Sequence, residues 1–180
     1  MFAMKLLVSV MASFQAAKSQ EKAGTSDAET QAIAQIEKAG GAVRQIAQND
    51  EHREVDFHLG ASCSDQQLAP LPKIKNIVSL NLGKTSVTDA GLAYVKPLTG
   101  LVELHLEQTK ITDQGLAQLK GLVNLRYLNL YGTAIGDAGL EQLAGLRNLR
   151  NLYVWQTKVS DEGIKKLKQA LPGVDIEKGW

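Results

Sequence analysis

Apolar residues recur along most of this chain at a fixed interval of 24 positions. Four columns carry the pattern: Leu80, Leu104, Leu128 and Leu152; Leu82, Leu106, Leu130 and Val154; Val87, Ile111, Ile135 and Val159; and Leu92, Leu116, Leu140 and Ile164. Around the first two columns apolar and polar residues alternate. Leu104 and Leu106 sit between Glu103, His105 and Glu107, which predicts a short strand with one buried face. Further on, Leu116 and Leu119 share a helical face and predict a helix over Gln114 to Lys120. A period of this length predicts a solenoid, because each turn has an apolar side that it covers only by stacking on its neighbours. Burying one such Leu contributes ~1.5–3 kcal/mol, so stacking drives the fold.

Polar residues keep the same beat. Thr85, Thr109, Thr133 and Thr157 follow the strands, then come Asp89, Asp113, Asp137 and Asp161, then Gly91, Gly115, Gly139 and Gly163. The threonines are expected to hydrogen-bond backbone at the strand exit. The aspartates stand where N-caps belong, and the glycines are expected to let helix approach strand. Written out, the repeat is L-x-x-L-x-L-x-x-T-x-[I/V]-[T/S/G]-D-x-G-[L/I]-x-x-[L/V], as in Leu125 to Leu143. It resembles the leucine-rich repeat family over about residues 55 to 178. The resemblance implies an α/β right-handed solenoid with a parallel β-sheet on the concave face and helices on the convex face. One departure is the Thr that replaces the family's usual Asn after the strand. The T-x-[I/V]-[T/S]-D-x-G-L variant is similar to short bacterial repeats of planctomycete-type secreted proteins.

Outside the regular turns the period breaks down. Asp27 is expected to cap a helix from about Ala28, with Ala32, Ile33, Ile36 and Ala39 on its apolar face and Gly40-Gly41 ending it. Residues 43–47 and 55–59 read as short strands. A degenerate repeat then runs from Phe57 through Cys63, Asp65, Leu68 and Leu71, as expected of a terminal turn. At the other end Pro172 and Gly173 stop the last helix, Val174 to Ile176 offers a closing strand, and Trp180 is expected to pack over it. Lys5, the apolar run Leu6 to Ala12 and the small residues Ala16, Ala17 and Ser19 have the order of a secretory leader. The expected organisation is therefore a leader over 1–19, a polar spacer and helix-plus-strand cap over 20–54, and a repeat domain with its C-terminal cap over 55–180. The expected location is periplasmic or secreted, with a plain cytoplasmic N-terminus as the alternative.

Composition narrows the function. Lys plus Arg is 20 against 19 for Asp plus Glu, so no basic stripe points to nucleic acid. One cysteine excludes an internal disulfide framework, and no stretch reaches the ~20 apolar residues of a membrane span. The expected state is a monomer. His52, His58 and His105 lie on separate segments without a metal-ligand spacing, and no phosphate-cradling glycine motif occurs. Cys63 falls in the apolar column of Val87 and Ile111 and reads as a core thiol. The expectation is no catalytic residue, no metal and no cofactor.

What the repeat leaves free is the outward side of the strands: Ser79, Asn81 and Gly83, then Glu103, His105 and Glu107, then Tyr127, Asn129 and Tyr131, then Asn151, Tyr153 and Trp155. Stacking is expected to set Tyr131 beside Trp155 and Asn129 between His105 and Tyr153. Tyr and Trp join a large apolar area to a polar tip and anchor many interfaces. The nine residues from Glu103 to Trp155 in this set are the candidate partner-binding site, for a protein or peptide. The alternatives are a carbohydrate stacked on the same aromatics and a substrate-adaptor role, since similar repeats occur in F-box ubiquitin-ligase subunits. The adaptor class implies an N-terminal helical domain, and residues 1–54 hold one convincing helix. Lys165, Lys166 and Lys168 on the last helix read as a solvated face.

Overall fold

The computed structural model describes residues 26–58 and 63–179. The leader-like segment and Trp180 lie outside the described residues, so neither expectation is addressed. Helix α1 (Asp27–Lys38) opens the described chain. Its N-cap is Ser26, not Asp27: Ser26 is extended, and its hydroxyl accepts from the Glu29 N–H at 3.3 Å. A cap must precede the first helical residue, and Asp27 already lies inside the helix. Strands β1 (Ala42–Gln45) and β2 (Arg53–Asp56) form an antiparallel hairpin. Both start earlier than alternation predicts, and Ile46 falls outside with 53% exposure. The partner strand, not the local pattern, sets where a strand ends.

From β2 onward every pairing is parallel and sequential, through β3 (Ile77–Asn81), β4 (Glu103–His105), β5 (Tyr127–Asn129), β6 (Asn151–Tyr153) and β7 (Asp175–Glu177). Leu80, Leu104, Leu128 and Leu152 stand in register and are fully buried. The other side of each turn carries short helices: α2 (Leu92–Val95), α3 (Asp113–Leu116), α4 (Asp137–Gln142) and α5 (Asp161–Ala170). The helix expected over 114–120 is one α-turn followed by a 3-10 segment, Ala117–Gly121. Such tight segments are used in short pieces, and here Leu116 and Leu119 both still reach the core. The degenerate turn joins the same core through Cys63, Leu68 and Leu71. At the N-terminal end, Glu29 is 1% exposed; it pairs with Arg53 Nε at 3.4 Å and accepts from the Lys75 N–H at 3.1 Å. One buried carboxylate thus ties the cap helix to the hairpin and the first parallel turn.

The repeated aspartates do different work from that expected. Asp89 does not cap its own helix. Its Oδ1 accepts from the Thr112 N–H at 2.8 Å and its Oδ2 from the Thr112 hydroxyl at 2.6 Å, one turn further on. Asp65 holds Thr88 in the same way (2.8 and 2.7 Å), as Asp137 holds Ser160 (2.8 and 2.6 Å). Asp113 accepts from the Gly136 N–H at 2.6 Å, and Gly136 has no hydroxyl to add. Two helices are capped by hydroxyl residues, Thr112 accepting from the Gln114 N–H and Ser160 from the Gly163 N–H, while Gly91 and Gly136 hold the N-cap position of the other two. Asp65, Asp89, Asp113 and Asp137 are therefore clamps onto the next turn, while Asp161, with no further repeat beyond it, pairs with Lys178 Nζ at 2.6 Å.

The glycines follow from the clamp rather than from helix–strand packing. A Cβ at Gly115 would collide with the Asp89 carboxylate, at Gly139 with Asp113 and at Gly163 with Asp137. The threonines behave as expected. Thr85, Thr109, Thr133 and Thr157 donate to the carbonyls of Leu82, Leu106, Leu130 and Val154 at 2.6–2.7 Å. These bonds stay within one turn. A second between-turn contact was not anticipated: Asn124 and Asn148 Nδ2 donate to the Thr99 and Val123 carbonyls at 3.0 and 2.8 Å.

Candidate functional site

Side chains on either side of a buried strand residue must face away from the core, and the parallel register then stacks them in columns. One column runs Glu54, Ser79, Glu103, Tyr127, Asn151 and Asp175; the next runs Asp56, Asn81, His105, Asn129, Tyr153 and Glu177. Asn129 lies between His105 and Tyr153, as expected. Just past the strands, Tyr131 and Trp155 are brought together by the Gly132 N–H, which donates to the Trp155 carbonyl at 2.8 Å. With Asn129, Tyr153 and Gln156 they line a groove of about 500 Å³. Trp155 is 42% exposed, a high value for so large an apolar ring. Asn151 and Glu103 are exposed on the first column.

The ring contacts run diagonally, which the register alone does not predict. His105 and Tyr127 centroids are 4.8 Å apart, and Tyr127 and Tyr153 are 5.3 Å apart, both pairs tilted. Strand side chains lean along the strand direction, so a ring reaches the diagonal neighbour. Burial, and after it the neighbouring Tyr153, Glu107 and Glu103, push the Tyr127 phenol above its ordinary value. Asn129 commits its carbonyl oxygen to the Tyr131 N–H at 3.1 Å, so part of its polarity closes the strand exit.

Glu107 is the least expected member. Its side chain is 15% exposed and lies over Gly83, where a Cβ would collide with it. Its Oε2 is buried without a hydrogen-bond partner among the described residues, and His105 Nδ1 lies 3.8 Å away. That distance is too long for a hydrogen bond. Toward the N-terminal end, Glu54, Ser79 and Glu103 border a second depression of about 470 Å³ with Ile46, Asp50 and His52. Asp50 is held below the usual carboxylate range by the His52 N–H and then by its ring, Nδ1 to Oδ1 being 2.6 Å.

Several neighbours of the site escaped the sequence. Glu54, Asp175 and Glu177 extend the columns, yet their strands do not match the repeat; alternation around Val55 and Ile176 was the available signal. Gly179 packs against the Trp155 indole, where a Cβ would sit 2.8 Å from Cδ2. Lys84, Gln108 and Gln156 take left-handed backbone (φ +59, +54 and +52) at the position of Gly132 (φ +69). Nothing in Lys or Gln announces that conformation, which costs ~1–2 kcal/mol outside Gly. Cys63 stands apart from the face. It is buried, and burial followed by the Asp65 charge pushes its thiol up to about 11. Among the described residues no three His, Cys, Asp or Glu side chains form a metal-sized group, and no helix is long and apolar enough to cross a membrane.

The sequence profile described as Leucine Rich repeat matches residues 122–144. No curated protein matches the chain. Among solved structures, an internalin from Listeria monocytogenes is similar at 26% identity and a TM-score of 0.54, over 63% of this chain and 31% of that one. The chain therefore spans about a third of that internalin's length. The leucine-rich-repeat ectodomain of the receptor kinase SOBIR1 from Arabidopsis thaliana is similar at 18% identity and a TM-score of 0.54, over 86% of this chain and 92% of that one.

Proposed function

We propose that this chain, which has the leucine-rich-repeat fold, is a non-catalytic module binding a protein or peptide on the open face of its sheet. The observation that carries this reading is the groove of Asn129, Tyr131, Tyr153, Trp155 and Gln156 beside the tilted stack of His105, Tyr127 and Tyr153. Partly exposed Tyr and Trp on rigid strands form anchors with little rotamer entropy to lose. The same positions change identity from turn to turn while the frame beneath them does not. With three outward positions per turn, the face is smaller than the ~20–30 residues a standard interface uses, which favours a peptide-sized contact.

The test is affinity selection of a phage-displayed random dodecapeptide library on the full chain. Sequences enriched on the wild type should be lost on Trp155→Ala and on Tyr131→Ala, with far-UV circular dichroism unchanged. Equal enrichment on both variants would sink the assignment. A carbohydrate is the second reading, because sugars stack on Tyr and Trp faces. A glycan array that lights up on the wild type and goes dark on Trp155→Ala, alongside a silent peptide library, would favour it. The order of charge, apolar run and small residues over 5–19 supports placing this face outside the cytoplasm; N-terminal sequencing of the mature protein tests that.

A further inference from the structure

The chain as a whole is balanced, at a net charge of +1, but its open sheet face is not. Between β2 and β7 the outward strand positions hold Glu54, Glu103, Asp175 and Glu177, together with Asp56, which accepts from the His58 N–H at 2.7 Å. Glu107 follows just past β4. No Lys or Arg occupies those columns; His105 is their one basic residue. The cations stand around the columns: Arg44 on β1 beyond Glu54, exposed Lys84 past β3, exposed Arg126 at the edge of β5, and Arg150 at the edge of β6, held by the Arg147 and Leu149 carbonyls. Carboxylates and π-faces share a preference: both attract a cation, and an aromatic face near one adds ~0.5–2 kcal/mol.

Resting on the binding reading above, we propose that the occupant is an extended peptide segment carrying arginine or lysine side chains. Two independent observations set the sign. The first is the charge of the columns. The second is Glu107 Oε2, buried without a partner among the described residues. A buried carboxylate oxygen is costly to leave unpaired, and a guanidinium or ammonium docked on the His105–Gly83 surface above it offsets that charge at short range. The geometry sets the reach. The acidic depression lies on β2 to β4 and the aromatic groove on β5 and β6. From β3 to β6 is three strand spacings, roughly 14 Å. An extended chain covers that in about four or five residues, crossing the Tyr127 ridge between the two depressions. One cationic side chain then meets Glu103 in the acidic depression while a second lies on Tyr153 and Trp155.

Peptides recovered from the dodecapeptide library decide the matter. The expected set depends on Trp155 and Tyr131, is poor in Asp and Glu, and carries two Lys or Arg within about five residues. A synthetic peptide of that consensus, titrated calorimetrically into the full chain, should weaken about tenfold from low salt to ~0.3 M, since the contacts are screened. Glu103→Gln/Glu107→Gln should weaken it by about tenfold or more at low salt, while Lys165→Gln/Lys166→Gln on α5 leaves it unchanged. Recovered peptides that need Trp155 and Tyr131 but are neutral or acidic overturn the cationic assignment and leave the binding face standing. Equal affinity for the wild type and the double Gln variant overturns it too. Peptides that ignore Trp155 and Tyr131, or no enrichment at all, overturn both.

Discussion

The two sides of each turn obey opposite rules. Where the helices begin, the same groups return every 24 residues and touch the next turn: Asp89 holds Thr112, Asp113 holds Gly136, Asp137 holds Ser160. On the sheet face, adjacent positions in one column are Glu103, Tyr127 and Asn151, which share no chemistry. Both sides stack at the same spacing. The clamp side repeats because its ligand is the neighbouring turn, which never changes. The first sheet column varies because the frame asks little of it, whereas in the second Asp56, Asn81 and Asn129 each accept from the N–H two residues on. Sequence identity along a column therefore separates what binds the protein to itself from what is left for another molecule.

The largest expected effect comes from breaking the clamp. Gly115→Ala forces a Cβ into the Asp89 carboxylate and should cost about 2–4 kcal/mol in denaturant unfolding, combining overpacking with lost charged hydrogen bonds. Asp89→Ala should cost somewhat less, on the order of 2 kcal/mol, by stripping the Thr112 N–H and hydroxyl of their acceptor. The decisive variant is the double, Asp89→Ala/Gly115→Ala. If glycine is there to admit the carboxylate, the double costs well under the sum of the singles. Additive costs would restore helix–strand packing as its reason.

Next comes a repeated group that acts within its own turn. Thr109→Val removes the hydroxyl that donates to the Leu106 carbonyl at 2.7 Å and should lower stability by about 1 kcal/mol. Acid provides a gentler lever on the clamp. The Ser160 hydroxyl and N–H hold Asp137 below its ordinary value. A carboxyl whose folded pKa is depressed stabilises fully above its unfolded pKa, ~3.9, and loses that contribution as the pH falls through the folded value. The stability gap between the wild type and Asp137→Asn should thus be present at neutral pH and close below about pH 4. A gap that persists into stronger acid would show that something other than the charge carries it. The smallest effect belongs to the sheet face. Tyr131→Ala should change unfolding by no more than about 0.5 kcal/mol while abolishing the proposed peptide binding; a large loss of stability would put the ring in the frame after all.

Much of this was readable in advance. The apolar columns, the short strands and their register follow from the period, because a stack of identical turns admits one alignment. The outward positions followed by elimination, and the structure does set Asn129 between His105 and Tyr153. The aspartates read as caps because Asp113 lies one residue after the capping Thr112, where a local rule sees a cap, while its partner, Gly136, is 23 residues away. Glu54, Asp175 and Glu177 were missed for a related reason. Their strands join the sheet without joining the repeat, so only the pairing of β2 with β3 and β7 with β6 brings them onto the face.

By itself, the sequence determined what lies inside. A 24-residue beat of leucine fixes which side of each turn is buried, since burial of apolar area is additive, local in its demand and indifferent to the exact neighbour. Only the tertiary structure decided what the polar groups do. A carboxylate or a ring acts through direction and distance, and those are set when turns stack. Stacking turned Asp89 toward Thr112, leaned Tyr127 toward Tyr153, and set Glu107 beneath the open face with an oxygen unpaired among the described residues.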